Sequence, residues 1–239
     1  MIDLTVVALT GAGASAESGV PTFRDAQTGL WARYDPQELA TPEAFERNPR
    51  LVWEWYAWRR ALTSQAIPNP GHLALVELER RVAHFTLLTQ NVDDLHRRAG
   101  SVQMLELHGN LHRTKCSAED VVVQGWNEDG QVPPRCRACG GPLRPDVVWF
   151  GEMLDAWILG EAERLAGQCD LFAAIGTSAQ VHPAASLPLV AKRAGATVVE
   201  INVEETPVSG YADVVLREPA STGVPKLLEM LPRLRRRGT

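Results

Sequence analysis

At 239 residues with a formal net charge of −5, the chain is long enough for one large domain, or for one domain carrying a small inserted lobe. Apolar residues make up 45% and charged residues 22%, the balance of a water-soluble globular protein, and the mild acidity gives no general drive toward nucleic acid. No apolar run reaches the length of about 18 residues that a membrane span needs, and Met1-Ile2-Asp3 lacks a basic leader, so a cytoplasmic protein is expected.

The first element is Leu4-Thr5-Val6-Val7-Ala8-Leu9, an apolar run predicted as a buried strand over 4–9. It feeds a glycine-rich stretch over 11–25, from Gly11-Ala12-Gly13 through Ser15 and Glu17 to Phe23-Arg24-Asp25. A strand, a glycine turn and a short helical segment in that order bring backbone N–H groups close to a phosphate. Gly11 and Gly13 can take φ > 0 and carry no Cβ, and Ala16 stands third in the G-x-G-x-x-G pattern. The same pattern also serves as a plain strand-to-helix connection. What sets this one apart is an aromatic, a cation and an anion in a loop that an ordinary βαβ unit keeps short.

Helical spacing follows over 49–66, with Leu51, Trp55, Trp58 and Leu62, and over 71–82, with Leu73, Leu75, Val76 and Leu78. Further strands are predicted at 84–89, 102–107, 170–175, 197–201 and 213–216. Further helices are predicted at 93–99, 153–167, 184–194 and 223–236. Alternation of strands and helices predicts a doubly wound, Rossmann-like α/β fold with a parallel sheet. Two stretches interrupt it. Residues 26–82 hold helices and no strand, a helical insert. Residues 113–146 are poor in regular pattern and hold three of the four cysteines, Cys116, Cys136 and Cys139, which reads as a metal-stapled or loop-rich module. Cys169 reads as an ordinary buried cysteine. The lobes expected are a Rossmann-like one from 1–25, 83–112 and 147–239, and a small one from 26–82 and 113–146. Arg233, Arg235, Arg236 and Arg237 read as cations at the C-terminus of a last helix.

Polar residues gather at predicted strand ends, where ligands bind in open α/β sheets. Gln90, Asn91 and Asp93 follow the strand at 84–89; helix capping accounts for one of them and leaves Gln90 unexplained. His108 follows the strand at 102–107, suited to a general base near neutral pH, and Gly109 leaves its ring uncrowded. Gly176, Thr177 and Ser178 follow the strand at 170–175 and offer close approach and hydroxyls to phosphate or ribose. Asn202 and Glu204 follow the strand at 197–201 and suit ribose hydroxyls. No second strand stands about 20 residues after the glycines, where a standard dinucleotide fold places its ribose-binding acid.

With these pieces in order, the sequence resembles the sirtuin family of NAD-dependent protein deacylases. The resemblance is carried by G-A-G-A-S-A-E-S-G-V-P-T-F-R-D (11–25), T-Q-N-V-D-D-L-H (89–96), H-G-N (108–110), C-x-x-C (136–139), V-V-W-F-G-E (147–152), G-T-S (176–178) and I-N-V-E (201–204). It implies NAD as co-substrate, held by Gly11, Ala12, Gly13, Ser15, Glu17, Phe23, Arg24, Gln90, Asn91, Val92, Asp93, Gly176, Thr177, Ser178, Asn202, Val203, Glu204 and Ala220. It implies His108 as base, with Asn91 and Asp93 positioning the nicotinamide ribose and carboxamide, Gln90 orienting the ribose, and Phe23 shielding C1′ from water. It implies acylated lysines of proteins as substrates, lying along a backbone edge at Val148, Phe150, Gly151 and Glu152, with one of Trp149 and Phe150 serving only the core.

One departure and one specialisation matter. The family's zinc module holds two C-x-x-C pairs; here the first reads Cys116-Ser-Ala-Glu119. Glu119 can join Cys116, Cys136 and Cys139 in a tetrahedral zinc site, or the site is degenerate and the module holds without metal. Tyr56 and Arg59, three apart on one helix, resemble the class III signature that binds a carboxylate on the acyl group. A desuccinylase or demalonylase that retains deacetylation is therefore expected, acting as a monomer without nucleic acid or membrane partners. The rival readings are a mono-ADP-ribosyltransferase, an NAD-responsive binding module without catalysis and, from the glycine turn alone, a hydride-transfer dehydrogenase.

Overall fold

The computed structural model describes residues 1–21, 34–126 and 130–233. Its centre is a six-stranded sheet of β1 (Ile2–Thr10), β2 (Val82–Thr89), β3 (Met104–Glu106), β6 (Leu171–Ile175), β7 (Thr197–Ile201) and β8 (Val214–Leu216). All neighbours pair in parallel, in the order β3-β2-β1-β6-β7-β8. Both faces are covered, which is why the strands read as near-continuous apolar runs. Val6 and Ala8 of β1 face one side, with Leu75 and Leu78 of α4 (Pro70–Arg81) and Val224 and Leu227 of α8 (Ala220–Met230). Val7 and Leu9 face the other, with Ala162 and Ala166 of α6 (Ala156–Gln168) and Leu187 and Ala191 of α7 (Leu187–Arg193).

The chain order reverses at β1, whose neighbours β2 and β6 lead away on opposite sides. Ligands of doubly wound sheets sit in the crevice at such a switch point, beyond the carboxyl ends of the strands. The register sets that edge: Thr10 stands beside Thr89 and Ile175, Thr89 beside Glu106, and Ile175 beside Ile201. The residues that follow, Gly11, Gln90, Leu107, Gly176 and Asn202, therefore share one rim.

α1 (Pro36–Leu39), α2 (Pro42–Arg47) and α3 (Pro49–Gln65) form a second cluster around Phe45, Trp55, Tyr56 and Trp149. α3 begins at a proline behind Asn48, whose side chain accepts the Leu51 N–H. α4 begins likewise behind Asn69 in a capping box with His72. By packing, α4 belongs to the sheet rather than to the helical insert that the sequence suggests. It packs against β2 and α8, and its Leu75 and Leu78 share the core on that face of the sheet, so the cluster around α3 ends before Pro70.

The stretch expected to be irregular carries a two-stranded antiparallel sheet, β4 (Gly109–Cys116) and β5 (Leu143–Val147). β4 reads Gly-Asn-Leu-His-Arg-Thr-Lys-Cys, too polar to give a strand signal. Leu111 and Cys116 are nevertheless fully buried, against α3 and the cysteine module. The last helix ends earlier than predicted, at Met230, followed by a 3₁₀ turn through Arg233; Arg235, Arg236 and Arg237 lie outside the described residues. Among the described residues no helix is long and apolar enough to cross a membrane.

Candidate active site

The glycine turn is locked to the end of β6. Gly11 N–H donates to the Ile175 carbonyl at 3.0 Å and Gly13 N–H to the Gly176 carbonyl at 2.9 Å. A Cβ on Gly11 would stand 2.7 Å from Thr177 Cα, and one on Gly176 would stand 2.3 Å from Ala14 N. The freedom to take φ > 0 expected of Gly11 is not used, since its φ is −122°. Its bare Cα is needed because two backbones cross there, and the positive φ falls on Gly176, at +58°. The helical segment expected after the turn is two 3₁₀ turns, Ala12–Ala14 and Ala16–Ser18.

Ser15, fully buried, gathers the polar groups behind the turn. Asn91 Nδ2 donates to its hydroxyl at 3.1 Å, and the hydroxyl also hydrogen-bonds Asp93. His72 Nδ1 accepts the Asn69 N–H, so its Nε2 carries the proton and faces Ser15 Oγ at 3.4 Å. Asp93 also accepts the Leu95 N–H at 2.9 Å, so it starts α5 (Leu95–Ala99) as well as facing the site. Burial raises its pKa. Gln90 Nε2 donates to Thr177 Oγ1 at 2.9 Å, tying the ends of β2 and β6 across β1. That bond accounts for the glutamine that capping could not. Val92 packs in the α3 cluster, and its carbonyl accepts the Leu111 N–H.

His108 stands on the same rim. Its Nδ1 lies 3.1 Å from the carbonyl oxygen of Gln90. A carbonyl only accepts, so Nδ1 holds the proton and Nε2 keeps its lone pair. Burial pushes the imidazole pKa below its ordinary value, and the Gln90 bond opposes that. The neighbouring glycine serves the sheet more than the ring: Gly109 has φ +79°, and a Cβ there would meet the Asp146 oxygen at 2.2 Å. The His108 carbonyl accepts the Val148 N–H at 3.0 Å, linking the candidate base to the stretch 148–152.

Within that stretch Phe150 is exposed and Trp149 is buried in the core beside Phe45. Gly151 has φ +89°. The Glu152 carboxylate is engaged by both Arg144 nitrogens, at 2.6 and 2.9 Å, and by the Trp149 N–H at 2.8 Å. Tyr56 is buried with its hydroxyl 3.0 Å from Trp149 Nε1, and burial raises its pKa. The Arg59 guanidinium carbon lies 5.1 Å from the Trp55 ring centroid, within electrostatic reach of Tyr56 and Asp93. Burial lowers the Arg59 pKa.

At the far end of the rim, Asn202 Nδ2 donates to the Thr177 carbonyl at 2.9 Å, and the Glu204 N–H donates to Asn202 Oδ1 at 3.3 Å. Val203 and Glu204 are exposed and Ser178 is half-buried. The Glu17 carboxylate accepts the hydroxyl and N–H of Ser221 at 2.8 and 3.2 Å, beside the buried Ala220 at the start of α8. Phe23 and Arg24 lie outside the described residues.

The sulfurs of Cys116, Cys136 and Cys139 lie within 4.8 Å of one another, the first and last 3.4 Å apart. Backbone N–H groups of Cys139 and Ala138 point at the Cys136 sulfur and hold its thiol below the usual range. The Gly141 N–H donates to Cys139 Sγ. Three converging thiols with N–H···S support fit three corners of a tetrahedral zinc site. Glu119 is exposed and is not in that group, so its carboxylate does not fill the fourth corner here. Cys169 is fully buried, as expected.

Sequence reasoning missed Asn69, His72 and His96. The rings of His72 and His96 lie 4.7 Å apart directly behind the site. The Asn-Pro-Gly-His cap before α4 is the local signal that marked His72.

A model of the Sir2 family matches residues 11–183. An NAD-dependent protein deacylase of Aquifex aeolicus is 50% identical over 238 residues, 97% of each chain. One of Aeropyrum pernix is 54% identical over 211 residues, 88% of this chain and 86% of that one. A crystal structure of a Sir2 homologue in complex with NAD is 47% identical and superposes with a TM-score of 0.87 over 96% of this chain and 90% of its own. A mutant Sir2 homologue bound to 2′-O-acetyl ADP-ribose is 46% identical, with a TM-score of 0.87 over 96% of this chain and 92% of its own. A turn locked to the switch point, an imidazole whose Nε2 keeps its lone pair and relatives that align over 88% and 97% of this chain agree: the chain belongs to the Sir2 family, the sirtuins.

Proposed function

We propose that this chain is an NAD-dependent protein-lysine deacylase, an acyl transferase that yields free lysine, nicotinamide and 2′-O-acyl-ADP-ribose. The observation that carries the reading is His108 on the strand-end rim, its Nδ1–H committed to the Gln90 carbonyl and its Nε2 left as a base. Relatives named for this activity align along nearly the whole chain, which supports it.

The donor set fits NAD: a turn without side chains at the switch point, hydroxyls and amides along the rim, and a neutral imidazole beyond them. Gly11, Ala12, Gly13, Gly176, Thr177 and Ser178 would hold the pyrophosphate, and Asn202, Val203, Glu204, Glu17 and Ala220 the adenosine end. Gln90, Asn91, Val92 and Asp93 would hold the nicotinamide ribose and carboxamide, with Ser15 orienting Asn91 and Asp93. Phe23 and Arg24 would shield the reacting carbon and place the ribose. When bound, NAD supplies a ribose carbon that loses nicotinamide to the acyl oxygen. His108 Nε2 takes the proton from the ribose hydroxyl that receives the acyl group. Exclusion of water at that centre separates acyl transfer from plain hydrolysis.

The substrate backbone would lie along Val148, Phe150, Gly151 and Glu152, with the Glu152 carboxylate bracing that edge through Arg144. Tyr56 and Arg59 would receive a carboxylate on the acyl chain, so succinyl- and malonyl-lysine are the preferred substrates and acetyl-lysine a lesser one. A half-buried guanidinium on the same helix face as the buried Tyr56 phenol supports this. Cys116, Cys136 and Cys139 would hold a structural zinc, whose role is to crosslink the small module. The chain is assigned as a cytoplasmic monomer with two lobes, the sheet and the module around α3 and the cysteines.

Incubation of NAD with a panel of acyl-lysine peptides, read by mass spectrometry, tests the reading. O-acyl-ADP-ribose and deacylated peptide are expected. ADP-ribosylated protein without O-acyl-ADP-ribose would replace it with the ADP-ribosyltransferase reading.

A further inference from the structure

β7 leads into the rim residues Asn202–Glu204 and carries a carboxylate inside the core. Glu200 is 1% exposed, a costly position unless every oxygen is paired. Both are. Oε1 accepts the Thr206 hydroxyl. Oε2 accepts the Ser209 hydroxyl at 2.5 Å and Arg217 Nη1 at 2.8 Å. The hydroxyls are themselves pinned. Thr206 Oγ1 accepts the Val208 N–H at 3.0 Å. Ser209 Oγ accepts the Thr206 N–H at 2.9 Å and Arg217 Nη2 at 2.7 Å. Each hydroxyl has one proton, and it goes to Glu200.

The cluster reaches the rim through Arg217, whose Nη1 also donates to the Glu204 carbonyl at 3.0 Å. On the opposite side Asn202 is fixed to the Thr177 carbonyl. The stretch 202–204 is therefore tied at both ends, through the Asn202 side chain to the end of β6 and through the Glu204 carbonyl to the segment after β8, while Val203 between them is 62% exposed. An exposed backbone edge that must take up a ligand binds more tightly when its geometry is fixed beforehand.

We propose that the Glu200–Arg217 pair is a positioning device for the Asn202–Glu204 edge, and that it sets affinity for the ADP-ribose half of NAD without entering the chemical step. This rests on the nucleotide role proposed above for residues 202–204. Glu200 lies in the core behind the edge and acts through Arg217, Thr206 and Ser209.

The test uses the full chain with Arg217→Ala and Arg217→Lys, titrated calorimetrically with ADP-ribose and assayed for KM and kcat. Arg217 is 39% exposed, so its replacement is tolerated better than that of Glu200. Arg217→Ala should raise the Kd for ADP-ribose and the KM for NAD about tenfold, as loss of hydrogen bonds from a charged donor does. The KM for acyl peptide and kcat should stay within about twofold, the mark of lost uniform binding. Arg217→Lys should fall between, since an ammonium keeps Glu200 but cannot span Ser209 and Glu204 together. Unchanged ADP-ribose affinity in Arg217→Ala overturns the proposal, as does a fall in kcat that matches the rise in KM. Wild-type protein that binds no ADP-ribose overturns the deacylase reading and this proposal together.

Discussion

The Nδ1 of His108 donates to the carbonyl oxygen of Gln90, 3.1 Å away. That bond joins the end of β3 to the end of β2 and fixes the tautomer, leaving Nε2 as acceptor. Burial lowers the pKa of this imidazole, so its neutral form persists below the ordinary histidine range. The acid limb of kcat/KM should therefore lie below that of an ordinary histidine, 6.5. His108→Ala should lose deacylation by about 10²–10⁴-fold. Undiminished deacylation in that variant would remove His108 from the mechanism.

Under the proposed function Arg59 and Tyr56, unlike His108, would act only on the acyl chain. Arg59→Met removes the fork that would bind a terminal carboxylate and leaves a side chain of similar length. The expected result is a fall of about 10–100-fold in kcat/KM for succinyl-lysine peptide, with the acetyl-lysine value little changed. A succinyl rate that survives Arg59→Met would show that the acid pocket lies elsewhere.

The strands of the main sheet were legible because burial on both faces demands unbroken apolar runs, as in Val6-Val7-Ala8-Leu9 and Leu171-Phe172-Ala173-Ala174-Ile175. The rim residues were legible because a polar residue straight after such a run has one place to go. β4 and β5 were not, since a two-stranded sheet with polar faces has no strong period. The packing of α4 on the sheet was hidden too, because an amphipathic helix shows that it has a partner and not which one. The meeting of Asn91, Ser15 and His72 depends on the register between β1 and β2, which is long-range. The pairing of Glu200 with Arg217 depends likewise on the register between β7 and β8.

The cysteine module gives a sharper test than the sequence allowed. Three thiols converge and Glu119 stands outside them. Protein purified without chelator should hold about one zinc per chain, and Cys136→Ser should lose it with a fall in Tm of about 5 °C or more. Glu119→Gln should keep its zinc, measured by elemental analysis. Loss of zinc in that variant would make the carboxylate the fourth ligand after all.

His72 and His96 predict how the fold responds to acid. Both are buried, their rings are 4.7 Å apart, and burial lowers their pKa values to about 4 and about 3. His96 Nε2 faces Thr10 Oγ1 at 2.9 Å, and its Nδ1 is buried with no partner among the described residues. In the unfolded chain both would titrate near the ordinary value of 6.5. Below that pH the unfolded state binds protons that the folded state refuses, so stability is full above it and is lost as pH falls toward the folded values. Each histidine should contribute a loss of about 2 kcal/mol by pH 5. Denaturant titrations at pH 7.5 and 5 should show the unfolding free energy dropping at the lower pH. His96→Asn, although less stable at pH 7.5, should show a smaller drop. An equal drop in wild type and His96→Asn would assign the acid sensitivity to other groups.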